Sequence, residues 1–281
     1  MDESRGIEMT TTILLFEPEV LVFFEPRFRV NGWRDAMLIQ GSIALVTGAN
    51  RGLGRGFAQE LVSRGAGKVY AGARRPQTIR DPELTPIELD ITDSKRVTAV
   101  AEQLPDVTLL VNNAGIQNSS SFIGTPSLEP AREEMETNYF GTLTMCRAFA
   151  PVLAANGGGA IVNMLSVSSF VNNPLDPSYG ASKAAAWSMT NGIRIELSHQ
   201  GTLVVAVHSG FIDTDMSSGY DAPKLSPQSV AKQAFDAVEA GNIEVLADER
   251  SRFVKDSLSH DQELIYPSIQ EFWDSLVEGR S

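Results

Sequence analysis

Ser42-Ile43-Ala44-Leu45-Val46 is a short apolar run of strand type, and it passes directly into Thr47-Gly48-Ala49-Asn50-Arg51-Gly52-Leu53-Gly54-Arg55-Gly56. Phe57-Ala58-Gln59-Glu60-Leu61-Val62 follows and reads as a helix. Strand, glycine turn and helix in that order are the context of a dinucleotide-binding turn. Gly48 permits the tight turn, and Gly52 and Gly54 let the main chain approach a pyrophosphate. The helix N-terminus offers free N–H groups and the positive end of its dipole to the anion. The spacing is Gly-x-x-x-Gly-x-Gly, not the commoner Gly-x-Gly-x-x-Gly. The bland alternative, an ordinary glycine-rich turn, does not account for both flanks.

The rest of the chain alternates in the same way. Strands are expected near 43–47, 68–72, 86–89, 107–111, 159–165, 202–208 and 243–246. Helices are expected near 52–64, 93–103, 127–154, 177–199 and 227–240, with 249–274 irregular apart from one or two short helices. Such alternation predicts an α/β fold, a Rossmann-like doubly wound parallel sheet of about seven strands with helices on both faces. The 281 residues suffice for one such domain, expected over 37–281. Residues 1–36 stand apart as an N-terminal extension: the apolar runs Thr12–Phe16 and Val20–Phe24 are broken by Glu17, Pro18, Glu25 and Pro26. Either Met37 is the natural start, which an intact mass would show, or the extension covers a sheet edge or a neighbour.

Tyr179 and Lys183 are four residues apart, with Ser166 thirteen upstream. On a helix, i and i+4 share a face, so a phenol and an ammonium point into one cleft. The positive charge is expected to lower the Tyr179 pKa and to make the phenol a proton donor and acceptor near neutral pH. By itself the spacing is also that of any surface helical pair.

Taken together, Thr47-Gly48-x-x-x-Gly52-x-Gly54, Asn112-Asn113-Ala114-Gly115, Asn138, Ser166 and Tyr179-x-x-x-Lys183 resemble the short-chain dehydrogenase/reductase family, in that family's order, from about Leu38 to about Lys255. The resemblance implies hydride transfer between a nicotinamide cofactor and a substrate carbon. Tyr179 would donate the proton, and Ser166 would hydrogen-bond the substrate oxygen. Lys183 would hold the nicotinamide ribose, and Asn138 would anchor a water in the relay to Lys183. Ser168 and Ser169 are rivals for the serine role. Asn112, Ala114 and Gly115 would line the adenosine side, and Ile212 and Thr214 would meet the carboxamide. Asp90, with Ile91 beside it, would contact the adenine, although a lone Asp there could equally cap the next helix. Asn50, Arg51 and Leu53 of the glycine turn complete the expected cofactor contacts. At the end of the second strand Arg74-Arg75 stands where an acid would grip a ribose 2′-hydroxyl. A guanidinium there suits the 2′-phosphate of NADP, so NADP(H) is expected as the preferred cofactor, with NAD(H) possible and Arg51 as a second cation.

The family usually has Pro-Gly after the sixth strand; this chain has Ser209-Gly210. Loss of the ring is expected to loosen the substrate loop or change its path without inactivating it. Three loops, Ile116–Pro126, Val167–Pro177 and Ser209–Pro227, are expected to form the pocket with Phe122, Phe170, Val171, Leu175, Phe211, Met216 and Tyr220. Lys224 is the one Lys or Arg in them, which predicts a neutral, fairly apolar ketone, aldehyde or alcohol. A non-catalytic dinucleotide sensor and a 3-oxoacyl-thioester reductase are the alternatives. A net charge of −12 argues against nucleic acid and anionic membrane as partners, and no run is long enough to span a bilayer. A cytoplasmic enzyme is expected. The single cysteine, Cys146, reads as a buried inert thiol, and the three histidines form no ligand motif. Met189, Ile193 and Leu197 make an apolar stripe, either core or the seam of the homodimer or homotetramer that the resemblance implies.

Overall fold

The computed structural model describes residues 37–278; the expectations for residues 1–36 lie outside the described residues. Seven parallel strands form one sheet in the order β3-β2-β1-β4-β5-β6-β7. They are β1 (Ile43–Thr47), β2 (Lys68–Ala73), β3 (Thr85–Glu88), β4 (Leu109–Asn112), β5 (Ala160–Met164), β6 (Leu203–His208) and β7 (Glu244–Leu246). Every residue of β4, β5 and β6 is buried. That is why these segments read as continuous apolar runs and not as alternating ones: helices cover both faces.

On one face lie α1 (Gly52–Ser63) and α6 (Pro227–Ala240), joined by Phe57 edge-on to Phe235 at 5.7 Å. On the other lie α2 (Ser94–Gln103), α4 (Thr142–Ala155) and α5 (Pro177–Glu196), packed around Leu45, Phe149 and Leu153. Each such fully buried side chain contributes about 1.5–3 kcal/mol. Met189 and Ile193 are buried here and Leu197 packs against the same cluster, so the stripe on α5 belongs to the core. The chain runs outward from β1 to β3 and returns to the other side of β1 with β4. The carboxyl ends of β1 and β4 part at that reversal, where ligands bind in such sheets.

Two helical expectations are corrected. The stretch 127–154 is not one helix: α3 (Glu129–Glu134) passes into a π-helical turn, Met135–Gly141, before α4. An inserted turn of this kind is common at functional sites, and it carries Asn138. The C-terminal segment is more helical than expected, with α7 (Glu249–Asp256), α8 (Asp261–Leu264) and a 13-residue α9 (Tyr266–Glu278). The period was present in Ile269, Phe272, Trp273 and Leu276; Pro267 marks the first turn, where proline is favoured, not a break.

Candidate active site

A cleft of about 2000 Å³ opens at the carboxyl ends of the strands. Its floor on the β1 side is the glycine turn. Gly48 and Gly52 have φ of +65° and +51°, a region that L side chains avoid. A Cβ on Gly54 would lie 2.1 Å from the Gly48 carbonyl oxygen, so no side chain fits. The Thr47 hydroxyl accepts the main-chain N–H groups of Asn113 (2.9 Å) and Ala114 (3.0 Å), and Asn113 Nδ2 donates to the Thr47 carbonyl at 3.0 Å. These bonds tie the ends of β1 and β4 together. Arg51, the N-cap of α1, forms no side-chain cap; its guanidinium pairs with Asp215 at 2.6 Å, both groups largely exposed, an arrangement worth at most about 1 kcal/mol. Arg74 lines the cleft at the end of β2.

Deeper in, Lys183 is buried and donates to the Met164 carbonyl at 3.0 Å, with its ammonium 5.7 Å from the Tyr179 ring centre. Burial brings Lys183 down to about 8. Burial also holds the Tyr179 phenol well above its ordinary value; a hydrogen bond from Ser166 opposes this, and the charges of Asp176 and Glu134 reinforce it. The expectation that Lys183 lowers the Tyr179 pKa is therefore not met: the ammonium is directed at the main chain of β5. Ser166 lies two residues beyond β5, and its hydroxyl accepts the Ser168 N–H at 3.1 Å while Ser169 Oγ accepts the Ser166 N–H at 3.2 Å. Ser168 and Ser169 thus serve the short turn that follows, and Ser166 is the serine at Tyr179. Asn138 is buried; its Oδ1 accepts the Ile116 N–H, and its Nδ2 donates to the Ile116 carbonyl and to Ser182 Oγ, each at 2.9 Å. A Cβ on Gly115 would meet Asn138 Oδ1 at 3.0 Å and Lys183 Nζ at 3.5 Å.

Behind this wall sits a residue the sequence reading passed over. His208, fully buried at the end of β6, lies with Nδ1 3.1 Å from the Ser166 carbonyl. Its ring stacks on Phe170 at 4.1 Å and meets Trp187 edge-on. Desolvation brings it down to about 4.

A family model described as short chain dehydrogenase matches residues 42–224. The chain belongs to the short-chain dehydrogenase family. It is thereby an oxidoreductase. A short-chain dehydrogenase of Burkholderia cenocepacia solved in complex with NADP is 42% identical, with a TM-score of 0.79 over 83% of this chain and 99% of that one. An uncharacterised oxidoreductase of Staphylococcus saprophyticus is 31% identical over 72% of this chain and 92% of its own length. The 1-deoxy-11-beta-hydroxypentalenate dehydrogenase of Streptomyces exfoliatus is 29% identical over 77% of this chain and 86% of its own.

The dehydrogenase's cleft gathers most of the residues singled out in the sequence. Gly48, Asn50, Arg51, Gly52, Leu53 and Gly54 line one end; Ser166, Tyr179 and Lys183 the centre; Ala114, Gly115, Ile212 and Thr214 the space between; and Arg74, Asp90 and Ile91 the rim. Asn112 is placed differently: its side chain turns from the cleft to Asn163 Oδ1 (2.9 Å) and Cys146. Alternation along β4 puts Asn112 and Asn113 on opposite sides, and Asn113 is the one that braces the glycine turn. Asp90 binds Thr92 through Oδ1, and the cap of α2 is Asp93. Cys146 is the inert thiol expected, pushed up to about 12 by burial. Of the expected pocket residues, Leu175, Phe211, Met216 and Tyr220 line the cleft. Phe170 and Val171 instead pack around Val254 and Ile265, and Phe122 is exposed. The wall has polar members that sequence reasoning missed: Gln117, Asn173, Asp176 and, from α7, Arg250. The loop after Ser209, which lacks the proline, is tied down by hydrogen bonds. Asp248 accepts the Gly210 N–H at 2.6 Å while capping α7, and the Leu225 carbonyl accepts the Asp213 N–H at 2.8 Å while the Leu225 N–H donates to the Phe211 carbonyl at 2.9 Å.

Proposed function

We propose that this dehydrogenase reduces a neutral, largely apolar ketone or aldehyde to the alcohol with NADPH, Tyr179 supplying the proton. The observation that carries the reading is the placement of Tyr179, half-buried in the cleft with Ser166 and with Lys183 one helical turn on. A protonated phenol is a donor, the form that reduction requires.

The residues fit a phosphorylated dinucleotide. The glycine turn excludes every side chain where a pyrophosphate would approach, and Arg74, exposed at the end of β2, replaces the acid that would select a 2′-hydroxyl. The solved relative bound to NADP supports the same choice; NAD(H) remains a weaker substitute. The bound nicotinamide would supply the hydride. Arg74, with Arg51, would hold the 2′-phosphate, Asp90 and Ile91 the adenine, Ala114 and Gly115 the adenosine side, and Ile212 and Thr214 the carboxamide. Ser166 donates to the substrate oxygen as one arm of an oxyanion hole, and Tyr179 passes its proton to that oxygen. Lys183 orients the ribose. The Asn138 amide is committed to Ile116 and Ser182 and its carbonyl accepts the Thr142 hydroxyl at 2.9 Å, so a relay water would take the second lone pair of that carbonyl.

One domain, 37–281, would carry both cofactor and substrate. Exposed Leu128 before α3, Phe140 between α3 and α4 and Ile195 on α5 support a homodimer or homotetramer, which light scattering measures. No helix of the described residues is long and apolar enough to cross a membrane, and a cytoplasmic location follows from the reading. A sensor would not need Ser166, Tyr179 and Lys183 together, and an acidic carrier protein would meet a chain of net charge −12. The test is NADPH consumption over a panel of neutral and charged carbonyl compounds, with NADH and Tyr179→Phe beside it. Turnover that prefers NADPH and falls at least about a hundredfold in the variant is expected. Turnover of charged ketones alone would overturn the substrate class, and undiminished turnover in Tyr179→Phe the proton donor.

A further inference from the structure

Asp176 is the N-cap of α5, the helix that carries Tyr179 and Lys183. An aspartate at this position ordinarily turns its carboxylate onto the free N–H groups of the first turn. This one makes no such bond. Its Oδ2 accepts from Gln117 Nε2 at 2.5 Å and its Oδ1 from Asn173 Nδ2 at 2.6 Å, while Gln117 Nε2 also donates to the Tyr220 hydroxyl at 3.0 Å. The carboxylate is thus drawn away from the helix and fixed in the wall of the cleft.

Both partners donate, so Asp176 is held as an acceptor. The residue is 7% exposed, burial pushes its carboxyl up, and no ion pair neutralises it among the described residues. A carboxylate offers about four acceptor positions, and side chains fill two of them. A charge taken out of water with acceptor capacity left over is costly in the free protein, and a donor on a ligand offsets that cost. An ammonium group on the ligand would meet Arg250, which lines the same cleft and acts electrostatically on Asp176. A neutral hydroxyl meets no such opposition. Phe211, stacked on Tyr220 at 4.8 Å, with Leu175 and Phe272, supplies apolar wall for the rest of the molecule.

We infer that Asp176 is a specificity-determining residue that accepts a hydrogen bond from a hydroxyl group on the substrate, so that the substrate class is a hydroxylated carbonyl compound with an apolar body. This rests on the carbonyl-reductase reading for what is turned over, but not for what is bound.

The test is calorimetric binding of tetralone, its monohydroxylated isomers and their methyl ethers to the full-length protein with NADPH present. Tyr179→Phe serves as the host so that binding is read without turnover. At least one hydroxylated isomer is expected to bind about tenfold or more tightly than tetralone, as a hydrogen bond to a charged acceptor implies. Its methyl ether, which keeps the oxygen but cannot donate, is expected to lose that advantage. Asp176→Asn in the same host is expected to reduce the preference to about threefold or less. Hydroxylated isomers that bind no better than tetralone or than their ethers would overturn the assignment, with no variant needed. So would an unchanged preference in a folded Asp176→Asn protein. Turnover by the wild type is scored separately: discrimination in binding without NADPH oxidation, here or over the carbonyl panel, counts against carbonyl reduction and leaves the role of Asp176 standing.

Discussion

Acidification should destabilise this dehydrogenase through one buried ring. The Ser166 carbonyl 3.1 Å from His208 Nδ1 is an acceptor, so Nδ1 carries the proton of a neutral imidazole. Nε2 is left bare and without a hydrogen-bond partner. Glu244 Oε1 lies 3.8 Å from Nε2 but is already paired with Lys255 at 2.7 Å. Lys255 and Arg194 oppose a second proton on the ring, Glu244 favours it, and desolvation outweighs the rest, bringing the ring down to about 4. Unfolded, the ring titrates near its ordinary value of about 6.5. The depressed value belongs to a base, so the native state binds fewer protons than the unfolded chain below that point. Stability is complete above about pH 6.5 and is lost as pH falls towards 4. The loss from this ring is roughly 1 kcal/mol at pH 5.5 and roughly 3 kcal/mol at pH 4.5. Urea unfolding at pH 7.5, 5.5 and 4.5 would be run on the wild type and on His208→Asn, which keeps a short donor but does not titrate. The variant should be less stable at pH 7.5, and its further loss on acidification should be smaller than the wild type's by these amounts. Parallel pH dependence in the two proteins would refute the reasoning.

Gly54→Ala, with its Cβ 2.1 Å from the Gly48 oxygen, should cost about 2 kcal/mol of stability by overpacking and abolish NADPH binding; fluorescence titration with a matched melting curve reads both. Arg74→Ser should weaken NADPH about tenfold to a hundredfold and leave NADH within about twofold, the signature of a lost charge-assisted contact to one phosphate; equal weakening of both would place Arg74 elsewhere. Lys183, brought down to about 8, is charged below that pH and neutral above it, so kcat/KM for reduction should fall as pH rises through about 8, and a profile flat to pH 10 would contradict its role.

Short-range spacing was enough for much of this protein. The turn from Thr47 to Gly54, the alternation of strands and helices, and the i, i+4 pair of Tyr179 and Lys183 are statements about neighbours in the chain, and local sterics dictate them. The order of the strands and the crevice beside β1 follow from those units because parallel crossovers allow few arrangements. What lay beyond the sequence was everything set by residues distant along the chain. Asn112 and Asn113 were exchanged because nothing in Asn-Asn says which amide faces the cleft; the register of β4 on β5 decides it. The Tyr179 phenol was expected to be acidified because Lys183 was counted as a bare charge, whereas burial and the Met164 carbonyl govern both groups. The substrate wall was read as apolar because only cations and large apolar side chains were weighed in the three expected loops, while the amides and the acid in them take their orientation from the packing and Arg250 lies outside them. Gln117 follows β4, Asp176 heads α5, Tyr220 sits in the loop after β6, and Arg250 stands on α7. Only the packing of those segments around one cleft turns the aspartate at the head of α5 away from the helix and into the wall of that cleft.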